Sequence, residues 1–190
     1  MKKDVPIKAF ISAKVFQTWL ATNHTKSDGI WLQIFKKDSG AKTITYAEAL
    51  DVALCYGWID GQQNSYDESS WLQKFTPRRS KSVWSKRNTE HIARIIKTGK
   101  MKSAGLKEVE LAKADGRWAR AYDSPSNMKI PEDFLQALAK NKKAEAFFKT
   151  LNKANTYAIA WRLQTAKKPE TRERRMKALL KMMAKEEKLH

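Results

Sequence analysis

Residues 57–79 read GWIDGQQNSYDESSWLQKFTPRR, and the architecture turns on them. Trp58–Ser65 and Ser70–Thr76 have strand character, and Tyr66-Asp67-Glu68-Ser69 between them has the polar composition of a turn. Trp71, Gln73 and Phe75 alternate with Leu72 and Lys74, which gives the second arm two unlike faces. Pro77 closes it, because proline has no amide to give a ladder. The segment is therefore a β-hairpin. On its N-terminal side, Thr45 and Glu48 have capping-box spacing, and the helix they open carries Ala49, Leu50, Ala53 and Leu54 inward before Gly57 stops it in a left-handed cap. Ile30–Phe35, β-branched and aromatic, adds a third strand. The expectation is an α+β fold with a small antiparallel sheet of about three strands packed against helices.

Outside the hairpin the pattern is helical. Ser12 caps a helix reaching about Thr22, with Phe16, Trp19 and Leu20 on its inner face. Asn88 is the expected cap of a helix bearing Ile92, Ile95 and Ile96 and stopped at Gly99; Leu106, Val109 and Ala112 mark the next, stopped near Gly116. After a loop over 116–130, Pro131 opens a helix with Phe134, Leu135 and Leu138, and Phe147, Phe148 and Leu151 mark another. Tyr157–Ala166 and a last helix with Met176, Leu179, Leu180 and Met183 follow. The division expected is an α+β domain over 1–120 and a helical unit over 121–190, packed as one globule.

The chain has 38 Lys and Arg against 20 Asp and Glu in 190 residues, a net charge of +18. The first 70 residues are neutral, so the surplus falls on the remainder. A surface of that kind attracts anions: nucleic acid, phosphate ligands, acidic lipid or acidic protein. A single cysteine, Cys55, excludes an internal disulfide and suits a reducing compartment. No apolar run follows the N-terminal lysines and no segment approaches the length of a membrane span, so a cytoplasmic location is expected. His24, His91 and His190 are scattered, and neither a phosphate loop nor a dinucleotide glycine pattern is present. No cofactor or metal is expected.

The densest run of unusual residues is Gly57-Trp-Ile-Asp-Gly61, Asp67, Phe75-Thr-Pro-Arg-Arg79 and Ser82-Val-Trp-Ser-Lys-Arg-Asn88. These residues resemble the signature of the YdeI/OmpD-associated family of bacterial proteins, also labelled bacteriocin-protection proteins. The resemblance continues through Gly99-Lys-Met101, Ala112-Lys-Ala-Asp-Gly-Arg-Trp118, Ala121-Tyr-Asp123 and Ala166-Lys-Lys-Pro-Glu-Thr-Arg172, nearly the whole chain. One departure is Thr156, where that family usually has an Arg. The resemblance carries over no catalytic residue. It implies a link to bacteriocin or stress tolerance. A chain of +18 repels cationic bacteriocins, so a protective role would be indirect.

Taken on their chemistry alone, the same residues form a candidate ligand site: Trp58, Asp60, Asp67, Arg78, Arg79, Ser82, Trp84, Ser85 and Asn88. Arg78 and Arg79 offer planar donor forks suited to carboxylate or phosphate. Ser82, Ser85 and Asn88 add neutral donors at a helix start, and Trp58 and Trp84 supply walls. The competing reading is structural: an Asp60–Arg78 ion pair, a capping Ser85 or Asn88, and tryptophans in the core. The function expected is non-catalytic binding of an anionic partner, nucleic acid or a phosphate-bearing ligand. The alternative is a cofactor-free enzyme or small-ligand receptor at the Asp60/Arg78/Trp84 corner. The basic C-terminal helix has the composition to lie on a membrane surface, but its apolar stripe is better suited to packing on its own domain.

Overall fold

The computed structural model describes residues 5–124 and 127–189, so Pro125 of the expected loop and the terminal His190 lie outside the described residues. The chain divides into two compact units, one of residues up to 82 with 88–119, the other of residues 83–87 with 120–190.

The first unit holds a sheet of order β1-β2-β4-β3, made of β1 (Ile7–Ala9), β2 (Ile30–Phe35), β3 (Trp58–Ser65) and β4 (Ser70–Pro77). The hairpin is β3–β4, antiparallel, with Trp58 opposite Pro77 and Ser65 opposite Trp71; β2 runs antiparallel to β4. The α+β expectation stands, with one strand more than foreseen: β1, three residues long, lies parallel to β2 with Ile7 opposite Trp31. Alternation along β2 places Ile30, Leu32 and Ile34 in the core. Central β4 is covered on both faces, and Gln73 is buried with its amide donating to the carbonyls of Gly61 and Gln62 at 2.9 and 3.2 Å. Those bonds offset the cost of placing an amide in the interior.

The unit also holds α1 (Ala13–Asn23), α2 (Tyr46–Cys55), α4 (Ser103–Ala114) and, from Asn88 on, α3 (Lys86–Lys97), with α2 packed on β3 and α1 and α4 packed on α2. Ser12 caps α1 by accepting the Val15 amide, and the capping box of α2 is complete, Thr45 Oγ1 accepting the Glu48 amide while the Glu48 carboxylate accepts the Thr45 amide at 2.9 Å. Gly57 ends α2 at φ +73°, the left-handed region, where a side chain would be strained. α3 starts two residues before the expected cap, so Asn88 lies inside the helix and is buried. An aromatic chain binds α1 to the hairpin: Phe16 lies 6.0 Å from Phe75, and Trp19 meets Trp58 edge-on at 5.9 Å.

The second unit is built from α5 (Glu132–Ala139), α6 (Lys142–Lys149), α7 (Lys153–Gln164) and α8 (Pro169–Ala184). Its core is Phe134, Leu138, Ala144, Ile159, Leu163, Leu179 and Met183. α8 turns Leu179 and Met183 inward at the spacing read from sequence, and Met176 and Leu180 flank them. α7 begins four residues before the expected Tyr157, because Asn152 caps it by accepting the Asn155 amide at 3.0 Å. In the same unit the 83–87 segment bridges Tyr122, whose amide donates to the Trp84 carbonyl at 2.9 Å while its carbonyl accepts the Lys86 amide at 2.8 Å. No helix of the described residues is long and apolar enough to cross a membrane.

Candidate functional site

Ladder register decides which of the sequence-selected residues in the first unit come together. Trp58, Asp60 and Arg78 gather at the open end of the hairpin, where the Arg78 amide donates to the Gly57 carbonyl at 3.0 Å. Asp67 sits in the turn at the other end, roughly 20 Å from Asp60 at about 3.3 Å per residue. It serves that turn: Ser69 donates to Asp67 through amide and hydroxyl at 2.8 and 2.9 Å, and hydrogen bonds from Ser70, then Ser69, hold its carboxyl below the usual range.

The gathered residues are mostly interior. Trp58 is 1 % exposed, and its indole N–H donates to the His24 carbonyl at 3.0 Å. Asp60 accepts the Tyr46 hydroxyl at 2.7 Å, and Arg78 is 7 % exposed. Arg79 is exposed; its amide donates to Ser82 Oγ at 3.1 Å and its carbonyl accepts the Ser82 amide at 2.9 Å, which closes a tight turn. Arg117, at 4 % exposure, anchors that turn. Its Nε donates to Asp115 at 2.6 Å and its Nη1 to the Ser82 carbonyl at 3.1 Å. Neighbouring Trp118 takes the Lys113 ammonium over its ring at 5.6 Å. Trp84 and Ser85 belong to the second unit, where Trp84 is buried and Ser85 pairs with Tyr122. Of the selected basic groups, then, Arg79 presents its charge to solvent.

Two features of the structure were not selected from sequence. The exposed face of α7 forms an open hollow of about 360 Å³ lined by Ala154, Tyr157, Ala158, Trp161 and Arg162. Trp161 is held edge-on by Tyr122 at 6.0 Å, and burial, followed by the charge of Tyr122, pushes the Tyr157 phenol upward. On its flank, Asp123 pairs with Lys86 at 2.7 Å and accepts Gln164 Nε2, and these contacts hold its carboxyl low. The signal was the spacing of Tyr157 and Trp161, one helical turn apart with Arg162 beside them. The second feature is a cavity of the first unit, bordered by α1, α2, α3 and the start of α4. It draws on residues far apart in the chain and had no local signature. Among the described residues no cluster of three or more His, Cys, Asp or Glu could hold a metal ion.

The chain belongs to the family described as a domain of unknown function (DUF8412), whose model matches residues 8–108, more than half the sequence. A second family model, described as bacteriocin-protection, YdeI or OmpD-associated, matches residues 127–186. The suspected kinship is thereby supported over a shorter stretch than the motifs implied: residues 57–88, on which it chiefly rested, fall in the span of the first family. No curated protein and no solved structure matches the chain.

Proposed function

We propose that this protein is a non-catalytic binder of an anionic partner, and that the partner it suits best is single-stranded nucleic acid engaged by the second unit. The observation that carries this reading is the α7 face, where Tyr157 and Trp161 stand beside Arg162 on a strongly basic unit. Base stacking on aromatic side chains supplies about 1–3 kcal/mol per base with little sequence preference, and lysines and arginines around the stack hold the phosphates. The chemistry does not point to turnover. Cys55, the one thiol, is buried and pushed up to about 11, chiefly by desolvation and then by Asp51, so it is neutral and unreactive near pH 7. A protective role of the kind named in the family description would then act through the bound nucleic acid, and a cytoplasmic location accords with it.

The test is fluorescence anisotropy of a labelled oligothymidylate titrated with the full chain at rising salt. Affinity should fall steeply as salt rises. Trp161→Ala should weaken binding about tenfold at fixed salt, in keeping with the loss of one stacking partner. Absence of binding at low salt, or an unchanged affinity in the Trp161→Ala variant, would overturn the reading.

A further inference from the structure

The cavity of the first unit encloses about 460 Å³, within the range of about 300–1,000 Å³ typical of small-molecule sites. It is a product of the fold rather than a surface irregularity. Gly105 of α4 lies so close to the end of α2 that a Cβ there would stand 2.4 Å from the Cys55 carbonyl oxygen. That approach places the start of α4 beside α2. The loop from α3 to α4 is tied at both ends, the Lys100 amide donating to the Ile95 carbonyl and the Lys102 amide to the Cys55 carbonyl, each at 3.3 Å. Lys100 and Lys102 thus stand at the rim on a fixed backbone.

The charges around the cavity are not equivalent. Glu48 turns back on its own helix start, where bonds from Thr45 hold its carboxyl low. Asp51 is taken by Arg94, whose Nη2 reaches its two oxygens at 2.6 and 2.7 Å, and by His91 Nδ1 at 2.9 Å. The carboxylates of the lining are therefore committed, and two ammonium groups remain at the rim over a wall formed by Val52 and Ile95.

We infer that this cavity binds a small amphiphilic anion: a phosphate monoester whose dianionic head meets Lys100 and Lys102 and whose apolar body, about the size of one ring, lies against Val52 and Ile95. A dianion matches two ammonium groups, and the apolar wall gives a bare phosphate little to hold. This site shares no residue with the α7 face and stands or falls apart from the nucleic-acid reading.

The probe is phenyl phosphate, titrated into the full-length protein and followed by amide chemical shifts. Saturable binding is expected, with shifts centred on residues 98–103. Inorganic phosphate and phenol should each bind about tenfold more weakly or worse, since each lacks half of the ligand. Benzoate, with one charge, should fall between. The double variant Lys100→Gln/Lys102→Gln should lose about tenfold in affinity. A control with the same charge change at exposed positions outside the lining, Lys97→Gln/Lys107→Gln, should lose less than about twofold. Trp161→Ala should leave the titration unchanged. The assignment is overturned if phenyl phosphate fails to saturate, if inorganic phosphate binds as well, or if both lysine pairs weaken binding equally.

Discussion

The two units carry the same amount of positive charge and use it differently. Each holds 19 of the 38 Lys and Arg, but 12 of the 20 acidic residues fall in the first unit and 8 in the second, leaving +7 and +11. The second unit is also the shorter, so its field is the denser. Their interiors differ as well. The first is closed by a sheet and buried rings, with Phe16, Trp58 and Phe75 at 1 % exposure or less. The second packs helices around aliphatic side chains, Met183 and Phe134, with Trp84 buried on its 83–87 segment. A rigid sheet-backed unit can shape a cavity for one ligand, whereas a small basic helical unit offers long-range attraction and an open face.

The largest expected effect is on the second interior. Phe134 is fully buried and meets Phe148 at 5.9 Å. Phe134→Ala should cost about 3–5 kcal/mol, through lost burial and the cavity left behind. Hydrogen exchange resolves where that loss falls: amides of α7 and α8 should lose protection while those of β2 and β4 keep theirs. Equal loss in β2 and β4 would mean that the two units unfold as one, and the contrast between them would be one of composition only.

A smaller effect is expected from Gly105→Ala. The added methyl meets backbone oxygens of Leu54 and Cys55 at 2.7 and 2.4 Å, atoms that cannot rotate away. Overpacking of this kind costs about 1–3 kcal/mol. Protection should fall in α2 and α4, and phenyl phosphate affinity should fall with it, while oligothymidylate binding through the second unit persists. A variant as stable as the wild type would show that α4 can shift off α2 freely, and the cavity would lose its architectural basis.

The contrast was partly visible in the amino-acid order. Caps and stops read correctly where the interaction is local: Ser12 with Val15, Thr45 with Glu48, Gly57 at the end of α2. Elements fixed by distant partners did not. β1 is three residues with no period of its own and exists because β2 offers an edge. Asn88 has cap chemistry, yet α3 begins earlier, where the Lys86 amide already bonds to Tyr122. The same division runs through the sites. Hairpin register made the grouping of Trp58, Asp60 and Arg78 legible, and the structural reading had Trp58 in the core, but the identity of Arg78 did not tell that it would be buried too. The cavity escaped altogether, because Asp51 and Arg94 are 43 positions apart and their union depends on how α2 and α3 pack.

The smallest effect separates two Arg–Asp pairs that look alike. In the second unit, Arg172 forks onto Asp133 with Nη1 at 2.5 Å and Nη2 at 2.8 Å. In the first, Arg94 uses one nitrogen for both Asp51 oxygens and shares the carboxylate with His91. The fork has the better geometry, but Asp133 is half exposed, so water screens it and Asp133→Asn should cost only about 0.2–1 kcal/mol near pH 7. Arg172 holds the Asp133 carboxyl below its ordinary value of 3.8. A depressed carboxyl contributes stability above its unfolded-state value and loses it as pH falls through the folded one. The difference between wild type and Asp133→Asn in urea melts should therefore be constant from neutral pH down to about 5, shrink below about 4, and vanish only in the acid range beneath the folded-state value. A difference that persists there would show that the pair acts by packing rather than charge. The second unit would then owe its low-pH behaviour to its core.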